Sequence, residues 1–179
     1  MALLTFGPDR ATCEVLTFKE GLLSAVAHDL LLRVTAFQIT VDPAAPAISA
    51  EIDASSLRVV TAMRDGRPLH GVLRPPDAKE IEATITREVL RANRFPVIRF
   101  VSATVARTGA GYEIEGRLTL AGTTREATLR VRRDAGQLAT EVPIHQPDYG
   151  IRPYRAMLGT LRVKEQVLVH ATIPDEGLP

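Results

Sequence analysis

Residues 114–120 read Ile-Glu-Gly-Arg-Leu-Thr-Leu, and their alternation decides the fold class. Ile114, Leu118 and Leu120 fall on one side of an extended chain, with Glu115, Arg117 and Thr119 on the other. Successive strand side chains point to opposite faces, so the pattern marks a strand with one dry and one wet face. Residues 127–132 repeat it, with Ala127, Leu129 and Val131 opposed to Thr128, Arg130 and Arg132. The stretch 161–169 does so again, with Leu161, Val163, Val167 and Val169 against Arg162, Lys164 and Gln166. Further strands are expected near 11–18, 30–41, 48–53, 98–106 and 137–144. Turn residues separate them at Asp42-Pro-Ala-Ala-Pro46, Thr108-Gly-Ala-Gly111, Ala121-Gly122 and Asp134-Ala-Gly136. An all-β antiparallel fold follows, as a sandwich or a closed barrel.

One segment has a different period. After Pro75-Pro76, Asp77-Ala-Lys-Glu80 has the form of a capping box, and Ile81, Ile85 and Val89 then recur every four residues. The spacing predicts a helix over about 77–92, ending before Asn93 and Phe95-Pro96. Residues 54–76 are the least regular stretch, and with the helix they are expected to cap one side or end of the barrel. About eight strands would enclose an interior able to hold one small or elongated ligand. Aromatic residues make up only 4% and tryptophan is absent, which fits an interior with room in it. Leu, Ile and Val can also fill such a space, so a hollow and a closed barrel both stay open.

Composition removes several function classes. The 179 residues suit a single domain, 1–179, with a substantial core. Twenty-two Lys+Arg against 21 Asp+Glu leave a net charge of +1, without the concentrated basic surface of a nucleic-acid binder. No apolar run reaches membrane-span length, so no integral membrane segment is expected. The N-terminus, Met1-Ala-Leu-Leu-Thr-Phe-Gly-Pro8, lacks the basic lead and apolar length of a signal peptide. Cys13, alone of its kind, cannot form an internal disulfide, and the expectation is a cytoplasmic protein.

Candidate site residues fall in three places. His28 precedes Asp29, but neighbours on a strand face opposite ways, so the two form no dyad. His28 either ties the strand start to backbone or contacts a ligand head group. The stretch Gln146-Pro-Asp-Tyr-Gly-Ile-Arg-Pro-Tyr154 gathers Asp148, Tyr149, Arg152 and Tyr154. It reads either as a pocket mouth, with Arg152 holding an anion, or as a structural corner. Glu165 falls in the inward row of Val163 and Val167, where a carboxylate needs a partner such as His28 or Arg152; a bulge would instead turn it outward. His70, His145 and His170 are scattered without metal-ligand spacing, and no catalytic motif appears, so no metal and no catalytic residue is expected.

In order along the chain, several stretches together resemble the YceI family of lipocalin-like, polyisoprenoid-binding proteins. They are Ser24-Ala-Val-Ala-His-Asp-Leu30, Val34-Thr-Ala-Phe-Gln-Ile39 and Ile52-Asp-Ala-Ser-Ser-Leu57, then Phe95-Pro-Val-Ile-Arg-Phe-Val-Ser102 and Gly116-Arg-Leu-Thr-Leu-Ala-Gly-Thr-Thr-Arg125. Asp148-Tyr-Gly-Ile151 and Val163-Lys-Glu-Gln-Val167 complete the series. The pattern departs at Thr35-Ala36, where a glycine is expected. The resemblance implies a lipocalin-like antiparallel barrel of about eight strands with one helix, a homodimer, and an apolar tunnel for an isoprenoid or other long-chain lipid. It makes His28 and Asp148 head-group candidates; Tyr149, Arg152, Tyr154 and Glu165 join them on chemistry. Leu118, Leu120, Leu129, Val131, Val163 and Val167 are the expected tail contacts. The function expected is non-enzymatic binding, storage or transport of an isoprenoid quinone or polyisoprenyl lipid, with no cofactor. The alternatives are a closed-core barrel acting as a dimeric protein-interaction module, and a small-molecule enzyme using His28, Glu165 and Arg152.

Overall fold

The computed structural model describes residues 2–21 and 28–176; the stretch 22–27, which carries the Ser24 end of the first motif, lies outside the described residues. The first half of the chain supplies β1 (Leu4–Phe6), β2 (Thr12–Thr17), β3 (Lys19–Glu20), β4 (Asp29–Val34), β5 (Phe37–Asp42), β6 (Ala47–Asp53), β7 (Leu57–Arg64) and β8 (Arg67–Leu69). A helix, α1 (Pro75–Thr84), follows. The second half supplies β9 (Val97–Thr108), β10 (Gly111–Leu120), β11 (Thr123–Asp134), β12 (Gln137–His145), β13 (Arg155–Ala156), β14 (Leu161–Val163) and β15 (Gln166–Pro174).

Twelve strands form one antiparallel sheet, in the order β1-β5-β6-β9-β10-β11-β12-β15-β2-β4-β7-β8. The small strands β13, β14 and β3 make a second sheet. The count exceeds the expected eight because two long strands are bent. β4 runs into β5 at Thr35-Ala36, and β6 into β7 at Ala54-Ser55-Ser56. The two bent strands pair with each other on both sides of their bends, β5 with β6 and β4 with β7. These pairs lie near opposite ends of the sheet order, so one continuous hairpin belongs to both ends and the sheet must curl on itself. A barrel closed at a corner results. Counting each bent strand once, and setting aside the three-residue β1 and β8, leaves eight long strands.

The corner has its own hydrogen bonds. Thr35 donates from N and from Oγ1 to the Ser56 carbonyl, at 3.0 and 2.9 Å, and the Asp53 N–H reaches the Ala36 carbonyl at 3.0 Å. Asp53 Oδ1 accepts from Ser55 N at 2.8 Å and Ser55 Oγ at 2.7 Å, an Asx turn that holds this carboxyl below its ordinary pKa. The Ile52-to-Leu57 motif is thus the barrel's hinge corner, with Ala54 and Ser56 both buried.

A second irregularity keeps the interior face continuous. Glu115 pairs with Thr104 and Gly116 with Ser102, so Ala103 is the extra residue of a bulge in β9. The bulge resets the alternation, and Ile98 and Phe100 before it share the interior with Val105 and Arg107 after it. Gly116 is where the Phe100 ring crosses β10. A Cβ there would stand 2.6 Å from Phe100 Cζ and 2.4 Å from the Val101 carbonyl oxygen.

Two expectations need correction. The helix begins at Pro75, not Asp77, because prolines lack the N–H that the first helical positions leave unpaired anyway. Asp77 does not cap; it forms a two-bond ion pair with Arg74 at 2.8 and 2.9 Å. Beyond Thr84 the helix widens into a π-turn over Ile85–Val89 and stops where Arg91 turns left-handed at φ 50°. The stretch 54–76 is also more regular than expected, since it holds β7 and β8. The polar residues of β7 masked its alternation, while its ladder to β4 secures it.

Candidate functional site

The curled sheet encloses a cavity of about 900 Å³. Its wall follows from period-2 alternation carried across strand pairs. On β12 and β15, Leu138 faces Ile173, Val142 faces Val169 and Ile144 faces Val167, and all six side chains border the cavity. Their neighbours Glu141 and Pro143 point out to solvent. Mid-wall residues such as Leu118, Leu129 and Val167 are only partly buried although they face inward, because across from them is space instead of another side chain. The closed-core alternative required those side chains to meet, and they do not.

Helix α1 and its π-turn form part of the lining. Ile81, Ile85 and Val89, the stripe legible in the sequence, all border the cavity. Glu82 fastens the helix to the barrel by accepting from the Val59 N–H at 2.8 Å.

Ionisable lining residues stand near the strand ends. At one end are Asp42, closing β5, and Arg107, beside the β9–β10 turn. At the other are Lys19, His28, Asp77, Glu80 and Arg162, with Tyr154 at the rim and 42% exposed. Between them the wall is almost all hydrocarbon, and the hydroxyl of Thr140 on it donates to the Arg130 carbonyl at 3.0 Å. Cys13 also faces the cavity, and burial pushes its thiol pKa up to about 11.

The six expected tail residues, Leu118, Leu120, Leu129, Val131, Val163 and Val167, all border this space. The six head-group candidates divide. His28 borders the cavity, and its Nδ1 is buried without a hydrogen-bond partner among the described residues. Asp29, next to it, points away and accepts from the Lys19 N–H at 2.8 Å, as strand alternation requires. Tyr154 borders the cavity as well. Asp148, Tyr149, Arg152 and Glu165 do not. Tyr149 is 6% exposed, and burial raises its phenol pKa; with Ile151 it packs into a corner made by the 3₁₀ turn Gln146–Tyr149 and a left-handed Gly150. Arg152 is exposed.

Asp148 and Glu165 meet over a residue that the sequence did not single out. His145 Nδ1 lies 3.1 Å from Asp148 Oδ1, and His145 Nε2 lies 3.1 Å from Glu165 Oε2. The two carboxylates, Asp148 foremost, raise the His145 pKa above its ordinary value. Glu165 faces outward because the expected strand over 161–169 breaks at Lys164-Glu165, between β14 and β15. The break is tied on both sides: the Lys164 N–H donates to the Phe18 carbonyl at 2.8 Å, and the Gln146 N–H to the Glu165 carbonyl at 2.8 Å. Buried Gln146 adds a bond from Nε2 to the Lys164 carbonyl at 3.0 Å. Asp148, three residues after His145 in a 3₁₀ turn, was the sequence signal available for this cluster. Glu165 and Arg152 are therefore not assembled with His28 in the cavity. Among the described residues, no three His, Cys, Asp or Glu are placed to hold a metal ion, and no helix is long and apolar enough to cross a membrane.

Comparison with known proteins agrees with this architecture. A family model described as the YceI-like domain matches residues 18–174. A search of curated proteins found no match. Among solved structures, a polyisoprenoid-binding domain from Saccharophagus degradans, implicated in plant cell wall breakdown, superposes with a TM-score of 0.60 at 13% identity, covering 97% of each chain. BcnA from Burkholderia cenocepacia superposes with a TM-score of 0.56 at 16% identity, over 90% of this chain and 95% of that one. At such identities the likeness is one of fold.

Proposed function

The chain belongs to the YceI-like family, and from that premise we propose that it binds a long apolar lipid, such as an isoprenoid quinone or polyisoprenyl lipid, inside the barrel. It acts as a carrier or store and not as an enzyme. The observation that carries this reading is the hollow itself: about 900 Å³ walled by aliphatic side chains, with ionisable groups only near its ends. That volume is near the top of the range of about 300–1,000 Å³ usual for ligand sites. The name of the Saccharophagus degradans neighbour, a polyisoprenoid-binding domain, supports the same class of ligand.

In this reading the wall supplies affinity and the ends supply direction. Hydrocarbon burial is worth about 0.8 kcal/mol per methylene, so a five-carbon isoprene unit gives roughly 4 kcal/mol before ordering costs. A neutral hydrogen bond nets only about 1 kcal/mol. At about 30 Å³ per water-sized group, the hollow takes on the order of 30 non-hydrogen atoms, or about six isoprene units. His28 Nδ1, buried and without a partner among the described residues, is the group we assign to the head group's oxygen, with Tyr154 also on the lining. An unpaired buried nitrogen costs about 1–3 kcal/mol, which a head-group oxygen would relieve.

A chain-length series tests the proposal. Isoprenols of increasing length are titrated into the protein. Affinity should rise at least tenfold per added unit and level off near six units. Affinity independent of length would refute a hydrocarbon-filled barrel.

A further inference from the structure

The hairpin of β13 and β14 is not explained by the cavity alone. From Ile151 to Lys164 it carries Arg152, Arg155, Arg162 and Lys164, all exposed, and no carboxylate. Arg155 and Arg162 are direct cross-strand partners, so their like charges share one face of the small sheet, which disfavours the pairing by itself. Among the described residues their one ion pair is long, 3.8 Å from Arg162 Nε to Oε2 of Glu20, the partner of Arg162 on β3. Arg155 and Arg162 also border a shallow outer pocket of about 440 Å³, whose lining includes Lys164 and, opposite in charge, Glu20 and Glu165, the latter held by His145.

At the tip of this cationic hairpin is Leu158. It is wholly exposed, at 107% of its reference area, and held in the left-handed region at φ 56°. A leucine gains nothing from water, and its side chain adopts this backbone at a cost. Tyr154, 42% exposed, lies on the same hairpin and borders the cavity. Leu161 and Val163 border it as well. One short hairpin therefore combines an apolar tip, four cations with no carboxylate in the hairpin's own sequence, and the rim of the hollow.

We infer that this hairpin seats the protein on an anionic lipid bilayer, with Leu158 entering the acyl boundary and Arg155, Arg162, Arg152 and Lys164 meeting lipid phosphates. The arginine pair, whose two like charges share one long ion pair, is then complementary to a surface of lipid phosphates. The inference deepens the carrier reading: the rim is presented to the bilayer from which a water-insoluble ligand must be drawn. Neither apolar tip nor cations suffice alone, since a single signal gives only marginal, reversible binding and stable anchoring takes two.

Flotation with vesicles tests it. Wild-type protein is mixed with phosphatidylcholine vesicles or with vesicles carrying one quarter phosphatidylglycerol, at low and at high salt. The protein should float with the anionic vesicles at low salt, stay behind with pure phosphatidylcholine, and release at high salt, where the Debye length shrinks to a few Å. Leu158→Asp should lower vesicle binding at least tenfold. Arg155→Gln with Lys164→Gln should lower it about twenty-five-fold, roughly fivefold per cation removed. Equal binding to both vesicle types, no binding to either, or retention by both variants would overturn the inference. A parallel titration with a fluorescent isoprenol in solution separates the two readings, because these residues lie off the cavity wall. Variants that lose vesicles but keep the isoprenol support the docking hairpin. An isoprenol that fails to bind wild-type protein, with vesicle binding intact, counts against the cavity reading alone. Circular dichroism melting keeps folded variants apart from unfolded ones.

Discussion

A charge placed on the mid-wall should damage binding more than loss of the polar contact at the end, and Leu129→Glu is the sharpest form of that test. Leu129 sits on β11 opposite Ile114 and borders the cavity, half-buried. In the empty barrel a glutamate there is hydrated by water in the hollow, so folding should survive. When a hydrocarbon chain enters, that water leaves and the carboxylate is stripped of solvent. The effective penalty for burying one ion in a protein is several kcal/mol. Taking about 3 kcal/mol, affinity falls on the order of a hundredfold. By contrast, His28→Ala removes one hydrogen bond, about 1 kcal/mol or fivefold. The glutamate can escape part of its penalty by taking up a proton, since desolvation raises a carboxyl pKa. The loss should therefore shrink at pH 5 and be full at pH 8. Fluorescence titration with a labelled isoprenoid at both pH values reads all three numbers, with melting curves to confirm folding. Wild-type-like affinity in Leu129→Glu, or an equal loss in His28→Ala, would refute the assignment of affinity to the wall.

Other consequences follow from the same geometry. With its pKa near 11, Cys13 is thiolate in only about one molecule in a thousand at pH 8, so a thiol reagent should react slowly, and more slowly still after an isoprenoid fills the hollow. Reaction kinetics unchanged by ligand would place the bound molecule elsewhere. Gly116→Ala forces a Cβ against Phe100 and the Val101 carbonyl, and denaturant melts should show a loss of about 1–3 kcal/mol. His145 has a folded pKa raised by Asp148 and Glu165, so its stabilising effect is full below about pH 6.5 and fades as pH rises through the higher folded value. Melting temperature should fall across that window in wild-type protein, and His145→Ala should remove this part of the pH dependence.

The parts of the molecule legible in the sequence are those set by local alternation. Leu118, Leu129 and Val131 identify an inward face because a strand of period 2 has no other way to place them. The stripe Ile81, Ile85 and Val89 did the same for the helix. What stayed hidden depends on partners distant in the chain. The bend at Thr35-Ala36 is fixed by the Ser56 carbonyl, twenty-one residues away, and the break at Lys164-Glu165 by the backbones of Phe18 and Gln146. That break carries Glu165 out of the apolar row and over to His145. Asp148, read as a head-group contact, turns to the same histidine from a 3₁₀ turn whose direction no alternation rule supplies.

Native mass spectrometry of protein purified from its own host, followed by solvent extraction of the same sample, tests the lipid-filled barrel most directly. The account predicts a population heavier than the 19.5 kDa chain by the mass of one long-chain lipid, which extraction removes and identifies as an isoprenoid. A single species at the bare chain mass, with an extract free of lipid and no mass shift on adding isoprenoids, would contradict it.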